Sequence, residues 1–205
     1  MKIDYKRELS ALYRPAAQKI VEVDVPEMSF LMVDGQGSPG ASESFAEAIE
    51  ALFSVAYTLK FMVKNETHGI DYVVMPLEGL WWANDMSAFV QGDRDNWKWT
   101  LLIMQPDIVS EGLVEKAISR VRKKKAPAGL ARVRFERFKE GKAAQCLHVG
   151  SFADEGPAVE ALHEFISASG RQLSGKHHEI YLSDFRRTSP EKLGTVIRQP
   201  FSERT

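Results

Sequence analysis

His177-His178-Glu179-Ile180-Tyr181-Leu182 is the stretch whose reading organises the rest of this chain. It reads as a strand. Side chains alternate along a strand, so Glu179 and Tyr181 point one way and Ile180 and Leu182 the other. Ile180 and Leu182 can enter a core, which leaves Glu179 facing water, an edge or a cavity. A second stretch, Leu77-Glu78-Gly79-Leu80-Trp81-Trp82, sets another acid beside two indoles. An acid among aromatics is one way to receive a cationic or electrophilic small molecule.

The composition narrows the function classes. The 205 residues, 44% of them hydrophobic, suffice for a sizeable core in one domain or in two tightly joined halves. Lys plus Arg total 27 and Asp plus Glu 28, a net charge of -1. That lacks the basic excess of a dedicated nucleic-acid binder, so no nucleic-acid partner is expected. No apolar run of about 18 residues is present, so no membrane partner is expected either. The charged start, Met1-Lys2-Ile3-Asp4-Tyr5-Lys6-Arg7-Glu8, lacks the apolar core of a signal peptide. Cys146 is the sole cysteine, so no internal disulfide can form, in keeping with a cytoplasmic location. Within Gln145-Cys146-Leu147-His148-Val149 the thiol reads as a packed side chain of a buried strand.

Several segments follow from periodicity. The first 25 residues read as an arm or short helix packed on the body. Ser29 to Asp34 reads as a buried strand closed by the loop Gly35-Gln36-Gly37-Ser38-Pro39-Gly40, which lacks the lysine and spacing of a phosphate loop. Ser44-x-x-Glu47 has capping-box spacing, ahead of a helix whose inner stripe is Phe45, Ala48, Ile49, Leu52, Ala56 and Leu59. Strands are expected over Tyr72 to Leu77 and Trp97 to Gln105. Ser110 caps a second helix with Leu113, Val114, Ala117, Ile118 and Val121 inside. Its Arg122-Lys123-Lys124-Lys125 end reads as a solvated C-terminus whose cations complement the helix dipole. Ala126-Pro127-Ala128-Gly129 is the linker candidate. Beyond it come strands over Arg132 to Phe138 and Ala143 to Val149, and a helix capped by Asp154. The Glu179 strand, a turn of helix at Ser189-Pro190 and a strand over Thr195 to Phe201 complete the chain.

These elements echo one another. Phe30-Leu-Met-Val-Asp aligns with Cys146-Leu-His-Val-Gly, and Trp99 to Pro106 aligns with Thr195 to Pro200, both ending in Gln-Pro. The expectation is an α+β fold in one domain, residues 1–205, built from duplicated βαββ modules over about 26–125 and 130–205. A pseudo-twofold axis would relate them, with a ligand cleft between the halves. In this register Val74 falls where Glu179 lies, which would make the acid particular to the second half.

Three segments carry a family resemblance: Met75-Pro-Leu-Glu-Gly-Leu-Trp-Trp82, Trp97-Lys-Trp-Thr100 with Gln105-Pro106, and Lys176-His-His-Glu-Ile-Tyr-Leu-Ser-Asp184. They resemble the GyrI-like small-molecule-binding family, over a span from about Asp4 to Phe201, and the stand-alone bacterial branch in particular. The resemblance implies a duplicated βαββ fold with a central cleft that takes hydrophobic, often cationic compounds. It implies the Glu of the Glu-Ile-Tyr segment as the key acid, Glu179 here, with Tyr181 as its neighbour. Some stand-alone members hydrolyse cyclopropane-bearing alkylating natural products. The related drug-sensing regulators add a helix-turn-helix, for which no room is expected outside this domain. One departure stands out. The family's His-x-Gly-Pro-Tyr segment reads His148-Val149-Gly150-Ser151-Phe152 here, so the tyrosine hydroxyl is replaced by the plain ring of Phe152.

The chemistry expected is therefore general-base hydrolysis by Glu179. Tyr181 or Tyr72 would polarise the conjugated carbonyl of a strained ring. Trp81, Trp82, Tyr72, Phe152, Glu78 and His148 are the candidate ligand-binding residues. Trp97 and Trp99 read as core. A carboxylate walled by aromatics loses hydration, which moves its pKa toward neutrality. The alternatives are that Glu179 only recognises cations, or that it forms a surface salt bridge with Arg186 or Arg187. At the level of function the alternatives are a non-catalytic sequestering module and a gyrase-inhibitor-like interaction protein. No His-x-His pair supports a zinc site, and Gly-x-Ser-x-Gly is absent, so neither a metal, a cofactor nor a serine nucleophile is called for. The partner expected is a hydrophobic small molecule, with the protein a monomer or weak dimer.

Overall fold

The computed structural model describes residues 2–17, 19–39, 42–67, 69–83 and 96–204. Helices and strands are interleaved along the chain, an α+β arrangement. The chain divides into two compact units. The first comprises Met1–Tyr5, Met28–Leu77 and Trp81–Phe138, and the second Lys6–Glu27, Glu78–Leu80 and Lys139–Thr205.

In the first unit, strand β1 (Lys2–Ile3) runs parallel to β3 (Asp71–Tyr72). The later part of β2 (Val21–Gln36) pairs antiparallel with β5 (Lys98–Gln105), Phe30 opposite Met104 and Gly35 opposite Trp99. Gly35 is required there, because a Cβ would lie 2.1 Å from the Trp99 ring. The helix Glu43–Met62 buries Phe45, Ala48, Ile49, Leu52, Ala56 and Leu59, the expected stripe, together with Ala51, Val55 and Met62. It starts two residues earlier than the capping box predicts. Ser42 is the N-cap and makes no side-chain cap bond, and its hydroxyl instead pairs with that of Ser44 at 2.9 Å. Ser110 does cap Glu111–Lys124, accepting from the Leu113 amide.

The strand expected over Tyr72 to Leu77 is corrected. Strand structure covers only Asp71–Tyr72 and then β4 (Leu77–Trp82), and Val74 lies in neither. The register argument that set Val74 against Glu179 therefore has no strand to rest on. β4 carries its own acid, Glu78, fully buried rather than on a loop.

In the second unit, the later part of β6 (Arg134–Val149) pairs antiparallel with β9 (Gly194–Glu203), which also pairs with β7 (Arg171–Leu173) and β8 (His177–Tyr181). Arg132 to Val149 was expected as two strands. β6 is continuous, with Gly141 at φ 77°, a conformation glycine takes without a Cβ penalty. The helix Gly156–Ala168 packs Leu162 and Ile166 on Ala144, Cys146, Ile197 and Phe201. That contact fixes which face of β6, β9 and β8 is covered by the helix.

Candidate functional site

Directly opposed residues of an antiparallel pair project to the same face. His178 on β8 stands opposite Arg198 on β9, and Arg198 opposite Gln145 on β6. One position along, Glu179 faces Ile197 and Ile197 faces Cys146; Tyr181 faces Thr195 and Thr195 faces His148. The Glu179 row is thus the helix-covered face, and the His178 row is the opposite one.

The His178 face is a closed ionic network. His178 is 1% exposed. Its Nδ1 lies 2.9 Å from Glu140 Oε1 and its Nε2 3.0 Å from Glu78 Oε2. Two carboxylates on two ring nitrogens require both nitrogens to donate, which defines an imidazolium. Burial opposes that charge, but Glu140 and Glu78 outweigh it and raise the His178 pKa to about 9. Burial likewise opposes the Glu140 charge, yet His178 and Arg198 bring its pKa down to about 2. Arg198 donates to Glu140 at 2.9 Å, to Gln145 at 2.8 Å and to the Leu12 carbonyl at 2.8 Å. Gln145 passes the chain on to the Ala11 carbonyl at 2.7 Å. Tyr13 donates to Glu78 Oε1 at 2.9 Å, and burial, then the Glu78 charge, pushes its phenol well above the usual range. Two carboxylates balance two cations.

The Glu179 face is different. The Glu179 side chain is 17% exposed. Its Oε2 accepts from the Tyr181 hydroxyl at 2.7 Å, and its Oε1 lies 3.3 Å from His177 Nε2. The expected alternation of β8 is met, and the two adjacent histidines do project to opposite faces. The salt-bridge alternative is corrected, because Arg186 and Arg187 both pair with Asp184. Tyr181, Phe152 and Phe185 form a mutual edge-to-face trio with centroids 5.8–5.9 Å apart. Phe152 is 42% exposed, so the trio offers an apolar surface beside the acid. His148 Nε2 lies 3.0 Å from the Ser151 carbonyl, bracing the turn that carries Phe152.

A second acid on this face was not expected from the sequence. Asp154 reads as the helix cap, but it accepts from the Ser151 hydroxyl at 2.6 Å, and Glu155 occupies the N-cap position without a side-chain cap bond. Glu155 is buried. Burial first, then the charge of Glu179, raises its pKa to about 8. The nearby Thr195 hydroxyl eases that shift, yet neither Glu155 Oε1 nor Thr195 Oγ1 completes a hydrogen bond among the described residues. Cys146 is buried beside them, and burial, then Glu155, raises its thiol pKa, which keeps it a packing group. Among the described residues no group of three or more His, Cys, Asp or Glu side chains could hold a metal ion.

The remaining sequence candidates are Trp81, Trp82, Tyr72 and Glu78. Trp81 and Trp82 belong to the first unit, where Trp81 packs against Phe45 and Trp97, each 5.9 Å away, and Trp82 is half-buried. Tyr72 is buried edge-on to Tyr5 at 6.3 Å, and its hydroxyl makes no hydrogen bond among the described residues. Burial raises that phenol far above its ordinary range. Both Glu78 oxygens are taken by Tyr13 and His178.

A family model for the GyrI-like small molecule binding domain matches residues 18–201. The chain belongs to this family. A Listeria innocua structure described as an uncharacterized conserved protein is 42% identical to this GyrI-like chain, covering 98% of it and 100% of the other, with a TM-score of 0.89. A hydrolase from Listeria innocua is 41% identical over the same shares of the two chains, with a TM-score of 0.85. The C-terminal domain of EcmrR, 12% identical, covers 91% of this chain and 98% of its own with a TM-score of 0.55, a likeness of fold alone. No curated protein matches the sequence. No helix among the described residues is long and apolar enough to cross a membrane.

Proposed function

We propose that this protein binds hydrophobic, cationic or electrophilic small molecules on the Glu179 face. We further propose that it hydrolyses alkylating compounds whose cyclopropane ring is conjugated to a carbonyl. The observation that carries this reading is that Glu179 and the buried Glu155 are brought to one face beside an aromatic surface. Glu179 is held by Tyr181 at 2.7 Å, and Glu155, with its pKa raised to about 8, stays protonated at neutral pH. A carboxyl kept protonated beside a second carboxyl can act as the acid to that group's base. The hydrolase that is 41% identical over nearly the whole chain supports the same class of activity.

A water oxygen bonds to the less hindered ring carbon while Glu179 takes its proton. The ring carbon–carbon bond breaks, and its electron pair moves into the conjugated carbonyl. Glu155 supplies a proton to that oxygen, and water then returns the carboxyls to their starting protonation. The net change is addition of one water across the broken bond. Phe152, Phe185 and Tyr181 supply the apolar wall that keeps the ring in place. Such proton transfer contributes about 10²–10⁴-fold.

The test is incubation with a cyclopropane-bearing alkylating compound in large excess, following ring-opened product. Many equivalents per protein are expected from the wild type, with Glu179→Gln at background. Phe152, which has no hydroxyl to polarise a substrate, supports a rival reading as a sequestering module. That rival predicts tight binding and at most one equivalent of product.

A further inference from the structure

Thr195 stands in the middle of the Glu179 face. It is paired with Tyr181 on one side and His148 on the other, so its side chain rises between theirs. It is 1% exposed, and Glu155 beside it is 6% exposed. Thr195 Oγ1 and Glu155 Oε1 are buried and near enough for the hydroxyl to act on the carboxyl, yet neither completes a hydrogen bond of normal geometry among the described residues. Buried polar groups are almost always partnered, and an unpartnered one marks a strain reservoir, a catalytic role or an ordered water or ion. A valine would fill the same space without that cost. On the opposite face, three residues along the same strand, Arg198 has each of its nitrogens engaged. Thr195 Oγ1 and Glu155 Oε1 are two of several such atoms among the described residues, and they are the ones that stand beside Glu179.

We propose that Thr195 is a positioning residue that seats the attacking water. This rests on the hydrolase reading above. The two unpartnered oxygens then have separate uses. Glu155 Oε1 serves the substrate carbonyl. Thr195 Oγ1 takes one hydrogen bond of the water whose other proton goes to Glu179, and this leaves a lone pair of the water aimed at the ring carbon. A buried water with two or three polar partners satisfies the normal rule for internal water.

The experiment compares wild type, Thr195→Val and Thr195→Ser on a cyclopropane-bearing enone. It measures kcat, KM and the melting temperature, and with azide added it measures the ratio of azide to water adduct. Thr195→Val should lose about 10–100-fold in kcat, the worth of one to two well-placed hydrogen bonds. KM and melting temperature should hold, and the product ratio should shift toward azide. Thr195→Ser should restore kcat to within a few-fold. The proposal is overturned if the valine variant keeps wild-type kcat, or if valine and serine are impaired alike with lowered melting temperature. A wild type that forms no more than one equivalent of product would sink the hydrolase reading itself and Thr195's role with it. That outcome is distinct, because it is seen before any variant is compared.

Discussion

His178 and Glu179 are neighbours in the chain, yet they lie in opposite chemical settings. Around His178 both ring nitrogens, both oxygens of Glu78 and every nitrogen of Arg198 have partners, and the charges cancel. Around Glu179, two carboxyl groups are brought together, one of them stays protonated, and two buried oxygens go unmatched among the described residues. A saturated network holds a sheet together, and an unsaturated one is poised to take a ligand or water. Perturbed pKa values occur on both faces, so perturbation alone does not separate structure from function. Between these two faces, saturation of the hydrogen bonds does.

The comparison can be broken most sharply by substituting one residue from each face. Glu179→Gln should abolish turnover, a loss of about 10²–10⁴-fold, while the melting temperature moves little. His178→Ala should do the reverse. It strands Glu78 and Glu140 in the interior and costs about 3–5 kcal/mol of stability, read by denaturant unfolding. A His178→Ala protein as stable as wild type would show that the network is not what holds this face.

Glu155→Gln sharpens the contrast through pH. The folded-state pKa of Glu155, about 8, is above the ordinary 4.5. Its contribution to stability is therefore fully present below about 4.5 and is lost as pH rises through 8. The His178 contribution is present below 6.5 and lost as pH rises through about 9, and that of Glu140 is present above 4.5 and lost as pH falls through about 2. Wild-type stability should decline from pH 5 to 8, and the glutamine variant should flatten the part of that slope owed to Glu155. Turnover by the wild type should also fall above about pH 8 as the acid ionises. A smaller effect is expected from Tyr181→Phe, which removes the 2.7 Å bond to Glu179. A charge-assisted bond of this kind is worth about 1.5–3 kcal/mol, so kcat should drop about 10–160-fold.

Much of this was legible in the sequence because it depends on local alternation. The two-residue period of β8 separates Glu179 and Tyr181 from Ile180 without reference to any other strand. The stripe of Glu43–Met62 and the Ser110 cap are local in the same sense. What the sequence did not reveal depends on distant partners. Glu155 lies next to Asp154, the better-looking cap, and its significance comes from Glu179 and Thr195, 24 and 40 residues further on. Glu140 sits in Lys139-Glu140-Gly141-Lys142, which resembles a solvated turn until His178 and Arg198 are brought to it. Glu78, followed by glycine, suits a loop acid as well as a ligand-binding one until Tyr13 and His178 are brought to it. Phe185 gives no local signal, and only the rings of Phe152 and Tyr181 make it part of a surface.

The central claim, that the unsaturated face performs hydrolysis, is tested most directly in heavy-oxygen water with substrate in excess. Wild type should release many equivalents of ring-opened product carrying one solvent oxygen, His178→Asn that remains folded should still do so, and Glu179→Gln should not. Labelled product formed equally well by Glu179→Gln, or no product beyond one equivalent from the wild type, would contradict it.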